Sequence, residues 1–170
     1  MPTYVALLRA VNVGGTGKLP MSKLRAMCAD EGFEKVQTYI ASGNVVFVAA
    51  RPAREVKAVL EKRLKDYAGR PVGVILRTAQ EMAGVLNANP FPDRPPNWTV
   101  AIFLDDPPPV DALDMAKGRE DEDICLGKRE IYVAYGSGIG RSRLRIPAAA
   151  NGTARNINTI RKLAELAAEM

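Results

Sequence analysis

Apolar residues in the first half of the chain recur with two alternating periods, and their order limits the fold more than any other feature. TYVALLRAV at residues 3–11 is a short apolar run rich in β-formers, which predicts a buried strand. Pro20 then opens a segment in which Leu24, Met27 and Cys28 share one helical face. Gly32 stands where a C-cap is expected, so a helix is predicted over 20–31. KVQTYIASGNVVFVA predicts two strands joined at Ser42-Gly43-Asn44. Pro52 begins a second helix, with Val56, Val59, Leu60 and Leu64 as its apolar stripe up to Gly69, and PVGVILRT adds another strand. The order β-α-β-β-α-β predicts an α+β fold whose N-terminal unit, residues 1–88, is ferredoxin-like: an antiparallel sheet covered on one face by two helices.

A proline-rich connection, NPFPDRPPN, follows a short helical stretch, and the linker is placed at 89–97. Residues 98–170 predict a second, degenerate α/β unit: a strand at 98–104, a proline-led acidic helix around 108–118 and a hairpin around Gly127-Lys128. TARNINTIRKLAELAAEM closes the chain as an amphipathic C-terminal helix, with Thr153 as its expected N-cap.

The stretch AVNVGGTGKLPMSKL, residues 10–24, runs from the first strand into the first helix and resembles a phosphate loop. The P-loop pattern fails at both ends: aligned on Gly17-Lys18, Asn12 replaces the first glycine and Leu19 the magnesium-binding hydroxyl. Gly14, Gly15 and Gly17 also miss the dinucleotide-binding spacing. What remains is a glycine-rich turn entering a helix N-terminus, which can aim backbone N–H groups at an anion or serve simply as a connection.

No histidine occurs in the 170 residues, which removes Ser-His-Asp and Cys-His catalysis and most transition-metal sites. No cofactor motif is present, and neither a cofactor nor a metal is expected. Cys28 and Cys125 lie among apolar neighbours and are expected to be inert thiols, which fits a cytoplasmic protein. No apolar run reaches the roughly 20 residues that a membrane span requires, and Arg9 interrupts the N-terminal one. The net charge of +5 is uneven: residues 105–123 carry eight acidic groups against two basic ones.

Two predicted helices carry their charges against the helix dipole, which favours acids at the N-terminus by about 0.3–1 kcal/mol each. The first has Lys18, Lys23 and Arg25 at its start and Asp30 and Glu31 at its end; the last has Arg155, Arg161 and Lys162 in front of Glu165 and Glu169. An external anion would make both arrangements favourable. The bland alternative is drift in surface composition.

Three strings, LLRAVNVGG at 7–15, SGNVVF at 42–47 and TARNINT at 153–159, with NPF at 89–91, resemble a bacterial family known as domain of unknown function sixteen-ninety-seven. The chain departs from that pattern at Ile157, where the family often has Trp. The resemblance implies a small α+β protein without an established activity. It also implies candidate ligand-binding residues: Arg9, Asn12, Gly14 and Gly15, then Ser42 and Asn44, then Arg155, Asn156, Asn158 and Thr159. Lys18 joins them as the titrating candidate nearest the strings. These groups either bind a ligand or satisfy one another as a structural lock.

The favoured function is binding of a phosphate-bearing or other anionic ligand, either a small molecule such as a nucleotide or a nucleic acid. An enzyme acting on a small anionic substrate without histidine chemistry is the first alternative, with catalytic residues unassigned. A protein-interaction module using the acidic segment, including self-association, is the second.

Overall fold

The computed structural model describes residues 1–12, 17–136 and 138–170. Their fold is mixed α+β, with two antiparallel four-stranded sheets and four α-helices. The residues divide into two compact units, Met1–Ala83 with Lys162–Met170, and Gly84–Arg161.

The first sheet contains β1 (Thr3–Leu8), β2 (Glu34–Thr38), β3 (Asn44–Val48) and β4 (Val74–Thr78), in the spatial order β2-β3-β1-β4. β1 is central, pairing Val5 with Val46 on one edge and with Arg77 on the other. Tyr4 to Leu8 are all buried, so both faces of this strand are shielded from water. On one face, Tyr4, Ala6, Leu8, Val45 and Phe47 join a core with Leu24 and Cys28 of α1 (Met21–Asp30). Val56, Leu60 and Leu64 of α2 (Ala53–Ala68) complete it. Each such leucine stabilises the fold by about 1.5–3 kcal/mol on leaving water. Phe33 stacks on Phe47 with ring centroids 4.5 Å apart, and the Cys28 thiol is pushed up to about 12 chiefly by burial.

Just past the end of α1, Gly32 has a φ of +82° that lets Phe33 N–H reach back to the Cys28 carbonyl at 3.1 Å. Glu31, beside this cap, has an internal partner set that accounts for acid at the wrong end of the helix dipole. Arg63 Nε donates to it at 2.7 Å from α2, and Arg51 Nη1 at 3.1 Å. Arg51 in turn lies 5.9 Å from the centroid of the Phe33 ring, and its carbonyl accepts the Tyr4 hydroxyl.

After α3 (Ala79–Asn87), the second sheet contains β5 (Thr99–Phe103), β6 (Asp123–Leu126), β7 (Glu130–Ala134) and β8 (Thr153–Asn156). Its order, β6-β7-β5-β8, repeats that of the first sheet strand for strand. The helices are not repeated. Residues 107–118 form turns and coil rather than the expected acidic helix. Pro107, Pro108 and Pro109 lack amide donors, and the eight residues left before Gly118 fall below the length at which a helix nucleates unaided. α4 (Ile157–Ala168) begins later than its sequence pattern suggests, because residues 153–156 pair with β5 as a strand. Thr153 is therefore a strand residue and not the cap. The helix buries Ile157, Ile160, Leu163 and Ala167 at helical spacing.

The Glu31 carboxyl sits below its ordinary value of 4.5, first because of the Arg63 hydrogen bond and then the Arg51 one. A carboxyl lowered on folding stabilises the fold above its unfolded value, and that contribution disappears as pH falls through the folded value. Glu31→Gln is therefore expected to lower the urea midpoint at neutral pH, with the gap to wild type closing as pH drops below about 4.5. Urea unfolding at a series of pH values checks this; a gap constant into acid would refute the role of the pair.

Candidate functional site

The chain leaves β1 between two neighbours. Leu8 N–H donates to the Gly43 carbonyl at 2.8 Å, and Arg9 N–H to the Gly73 carbonyl at 2.9 Å. The next residues cannot continue the strand and turn sharply: Ala10 and Asn12 both adopt left-handed backbone, with φ of 56° and 54°. Each costs about 1–2 kcal/mol for a residue with a β-carbon, and such strain persists only where surrounding bonds enforce it.

Asn12 supplies those bonds. Its N–H donates to the Gly17 carbonyl at 2.9 Å, closing the base of the loop. Its Nδ2 donates to the carbonyls of Leu19 at 2.9 Å and Ala41 at 2.7 Å, while Leu19 N–H donates to its Oδ1 at 2.8 Å. One side chain thus joins both sides of the loop to the turn before β3. Gly17, at φ +62°, completes the closure; a β-carbon there would stand 2.6 Å from the Ala10 carbonyl. Gly14 and Gly15 lie outside the described residues.

A cleft of about 820 Å³ opens against this loop. It is lined by Arg9, Ala10, Val11, Gly17, Lys18 and Leu19 from the end of β1 and its loop, by Leu64, Tyr67 and Ala68 of α2, and by Arg70 to Gly73 after that helix. Its volume falls in the range of small-molecule sites. Three cations line it, Arg9, Lys18 and Arg70, and no carboxylate does among the described residues. Arg70 is aimed at the loop: a β-carbon on Gly17 would lie 3.0 Å from its Nη2. The rest of the lining is apolar, except for the half-exposed Tyr67 ring.

Of the residues proposed from sequence, Arg9 and Lys18 line the cleft, and Asn12 builds the loop beside it. Asn44 is buried, donating from Nδ2 to Ser42 Oγ and the Tyr39 carbonyl, both at 2.9 Å. This pair shapes the turn whose Gly43 holds Leu8. In the second unit Arg155 sits on β8 opposite Ala101 and donates to Thr153 Oγ1 at 2.8 Å; burial lowers its guanidinium to about 10. Asn156 caps α4, accepting the Thr159 N–H at 2.9 Å, and the exposed Asn158 meets Arg161 at 3.5 Å.

Tyr67, Arg70 and the Pro71–Gly73 wall escaped the sequence reading. Their signal is the string AGRPVG, in which a cation lies just past a helix that stops at a left-handed glycine, Gly69 at φ +73°.

Residues 1–132 match the model of a family described as "Protein of unknown function (DUF1697)". No curated protein matches the chain. Among solved structures, the conserved bacterial protein SP0830 from Streptococcus pneumoniae is similar at a TM-score of 0.81 and 24% identity, covering 98% of each chain. At that identity the likeness speaks for the fold alone.

Replacing Asn12 with alanine removes three side-chain hydrogen bonds and leaves the Leu19 amide without its acceptor. Asn12→Ala is expected to destabilise the protein by about 2–4 kcal/mol, read as a lower urea midpoint, and to do so with no ligand present. A loss under about 0.5 kcal/mol would show that the loop closes without it.

Proposed function

We propose that this chain, which belongs to the DUF1697 family of unknown function, binds a small phosphate-bearing ligand in the cleft between the loop after β1 and the end of α2. The observation that carries the reading is the lining: three cations and an aromatic ring around about 820 Å³, with no carboxylate among the described residues. Like charges gathered in one concavity repel each other, and a bound anion reverses that term. Arginine at Arg9 and Arg70 suits a bidentate grip on phosphate, with Lys18 as a point charge.

One effect opposes the reading. The C-terminal end of α2 contributes Tyr67 and Ala68 to the wall, and its carbonyl dipoles disfavour an anion by about 0.3–1 kcal/mol. Charge-assisted hydrogen bonds from the cations, about 1.5–3 kcal/mol each, outweigh it. The apolar lining and the Tyr67 ring favour a ligand with a flat or apolar body beside its phosphate, as a mononucleotide has. An acid–base reaction has little to work with, since among the described residues Lys18 and Tyr67 are the titratable lining groups besides guanidinium.

Two finer structural readings accompany this proposal. Both sheets are ferredoxin-like in topology, supported by the shared order in which the first strand of each lies between the third and fourth. A cytoplasmic setting accords with the free thiols Cys28 and Cys125.

Calorimetric titration with AMP, ATP and inorganic phosphate at low and high salt tests the site. Wild type is expected to bind AMP more tightly than phosphate, and more weakly as salt rises. Removing both Lys18 and Arg70 as alanines is expected to weaken binding by about tenfold to a hundredfold, or about 1.4–2.8 kcal/mol. Tyr67→Ala should bring AMP down toward phosphate. If none of the three anions binds at low salt, or if the double variant binds as wild type does, the reading fails.

A further inference from the structure

The second unit holds a different cavity, of about 510 Å³, on the face of β5 that no α-helix covers. Ile102, Tyr135, Leu144, Ile146, Pro147 and Ala149 make most of it apolar. These residues border a core whose buried members include Val100, Leu104, Ile131 and Val133. In the first unit the corresponding segments are α1 and α2; here they are coil, turns and two short 3-10 turns, Ile139–Arg141 and Pro147–Ala149. The thinner cover leaves the concavity.

Its polar rim has an uncommon composition. Lys117 and Arg145 form an isolated antiparallel bridge in which each N–H donates to the other's carbonyl at 2.8 Å. Directly opposed residues of such a pair carry their side chains on the same side, with β-carbons about 4.5–5.5 Å apart, and like charges in that position repel. Both side chains are exposed and both line the cavity, while no carboxylate does among the described residues. The two segments are pressed together beside the bridge. Gly118, at φ +70°, leaves room for the Arg143 carbonyl, which a β-carbon would meet at 2.2 Å. Opening the pair to relieve its repulsion would therefore cost backbone contacts.

Asp121 and Glu122 lie near Tyr135 without lining the cavity; a β-carbon on Gly136 would meet the Asp121 carboxyl at 2.8 Å. The Glu122 carboxylate adds to the burial that raises the Tyr135 hydroxyl, but it is engaged by Ser142 Oγ at 2.5 Å and by Glu120 N–H at 2.7 Å. It holds its own segment in place and contributes no atom to the cavity lining.

We propose that this cavity binds an amphiphilic monoanion, an aliphatic or aromatic carboxylate, with its head between Lys117 and Arg145. Its apolar body lies along Ile102, Tyr135, Leu144 and Ile146. The site is separate from the phosphate cleft in composition and in the residues that form it, and stands whether or not that reading survives.

The probe is 1-anilinonaphthalene-8-sulfonate, which combines an anionic head with an aromatic body, followed by fluorescence and displaced with octanoate or octylamine. The expected result is displacement by octanoate at concentrations at least tenfold below those octylamine requires. Replacing Lys117 and Arg145 together by methionine keeps the apolar stems and is expected to weaken the probe and octanoate at least tenfold. In the Lys18→Ala, Arg70→Ala variant, where the first cleft has lost two of its cations, octanoate should still displace the probe in preference to octylamine. Equal displacement by the two amphiphiles in the wild-type protein overturns the proposal even if the methionine variant fails to fold. So does a folded methionine variant with unchanged octanoate affinity.

Discussion

A strand bonded on both edges and buried on both faces has no polar group left for chemistry along its length. β1 is such a strand, and its isolation from water governs where a site can form in the first unit. Its backbone is paired to β3 and β4, and Tyr4 to Leu8 are all buried. The first residue able to meet a ligand is Arg9, at the point where pairing ends. The cleft begins at that residue, and the backbone strain at Ala10 and Asn12 arises because the chain must clear two neighbouring strands within a few residues.

The same constraint explains why the first half could be read from sequence. A strand buried on both faces is a continuous apolar run, and helices covering one face have an apolar stripe, so β1, β3, β4 and both helices declare themselves; the largely exposed β2 is placed by the turn before β3. The second half is harder because its cover is not helical. DDPPPVDALDMAKG has helix-forming residues, but the three prolines leave too short a remainder, and that segment became turns. TARN reads smoothly into a helix because alternation over four residues cannot be told from the first turn of an amphipathic one. Only pairing with β5, which joins Thr153 to Phe103 and Asn156 to Val100 far back in the chain, makes it a strand.

The candidate residues divide along similar lines. Asparagines in the three strings suggested hydrogen bonds, and hydrogen bonds are what they make, but with their own chain. Asn12 clamps the loop, Asn44 braces a turn, and Asn156 caps a helix, three tasks that a side-chain amide performs through its short reach. The reversed charges separate too. Acid at the end of α1 is answered by Arg51 and Arg63, and it needs no guest. Lys18 ahead of the helix instead lines the cleft, as Arg70 does. Sequence position could not make that distinction, because Arg63 and Arg70 are seven residues apart on α2 and its cap, and only folding sends one to Glu31 and the other to the loop.

Strand order and helical cover are separable properties, and each unit shows a different use of that freedom. Both sheets have the order in which the first strand lies between the third and fourth, so both expose the end of a central strand where the chain turns away. In the first unit two full helices seal the face, and the concavity is displaced to the rim, where α2 ends and cations gather. In the second, neither crossover segment forms an α-helix, so the hollow lies over the sheet face itself and inherits apolar walls from the core. A rim site selects by charge first and shape second, because its walls are solvated. A face site selects by apolar fit first, and charge at its edge only orients what enters. The crossover segments thus set the chemistry each unit can recognise, while the sheet beneath them stays the same.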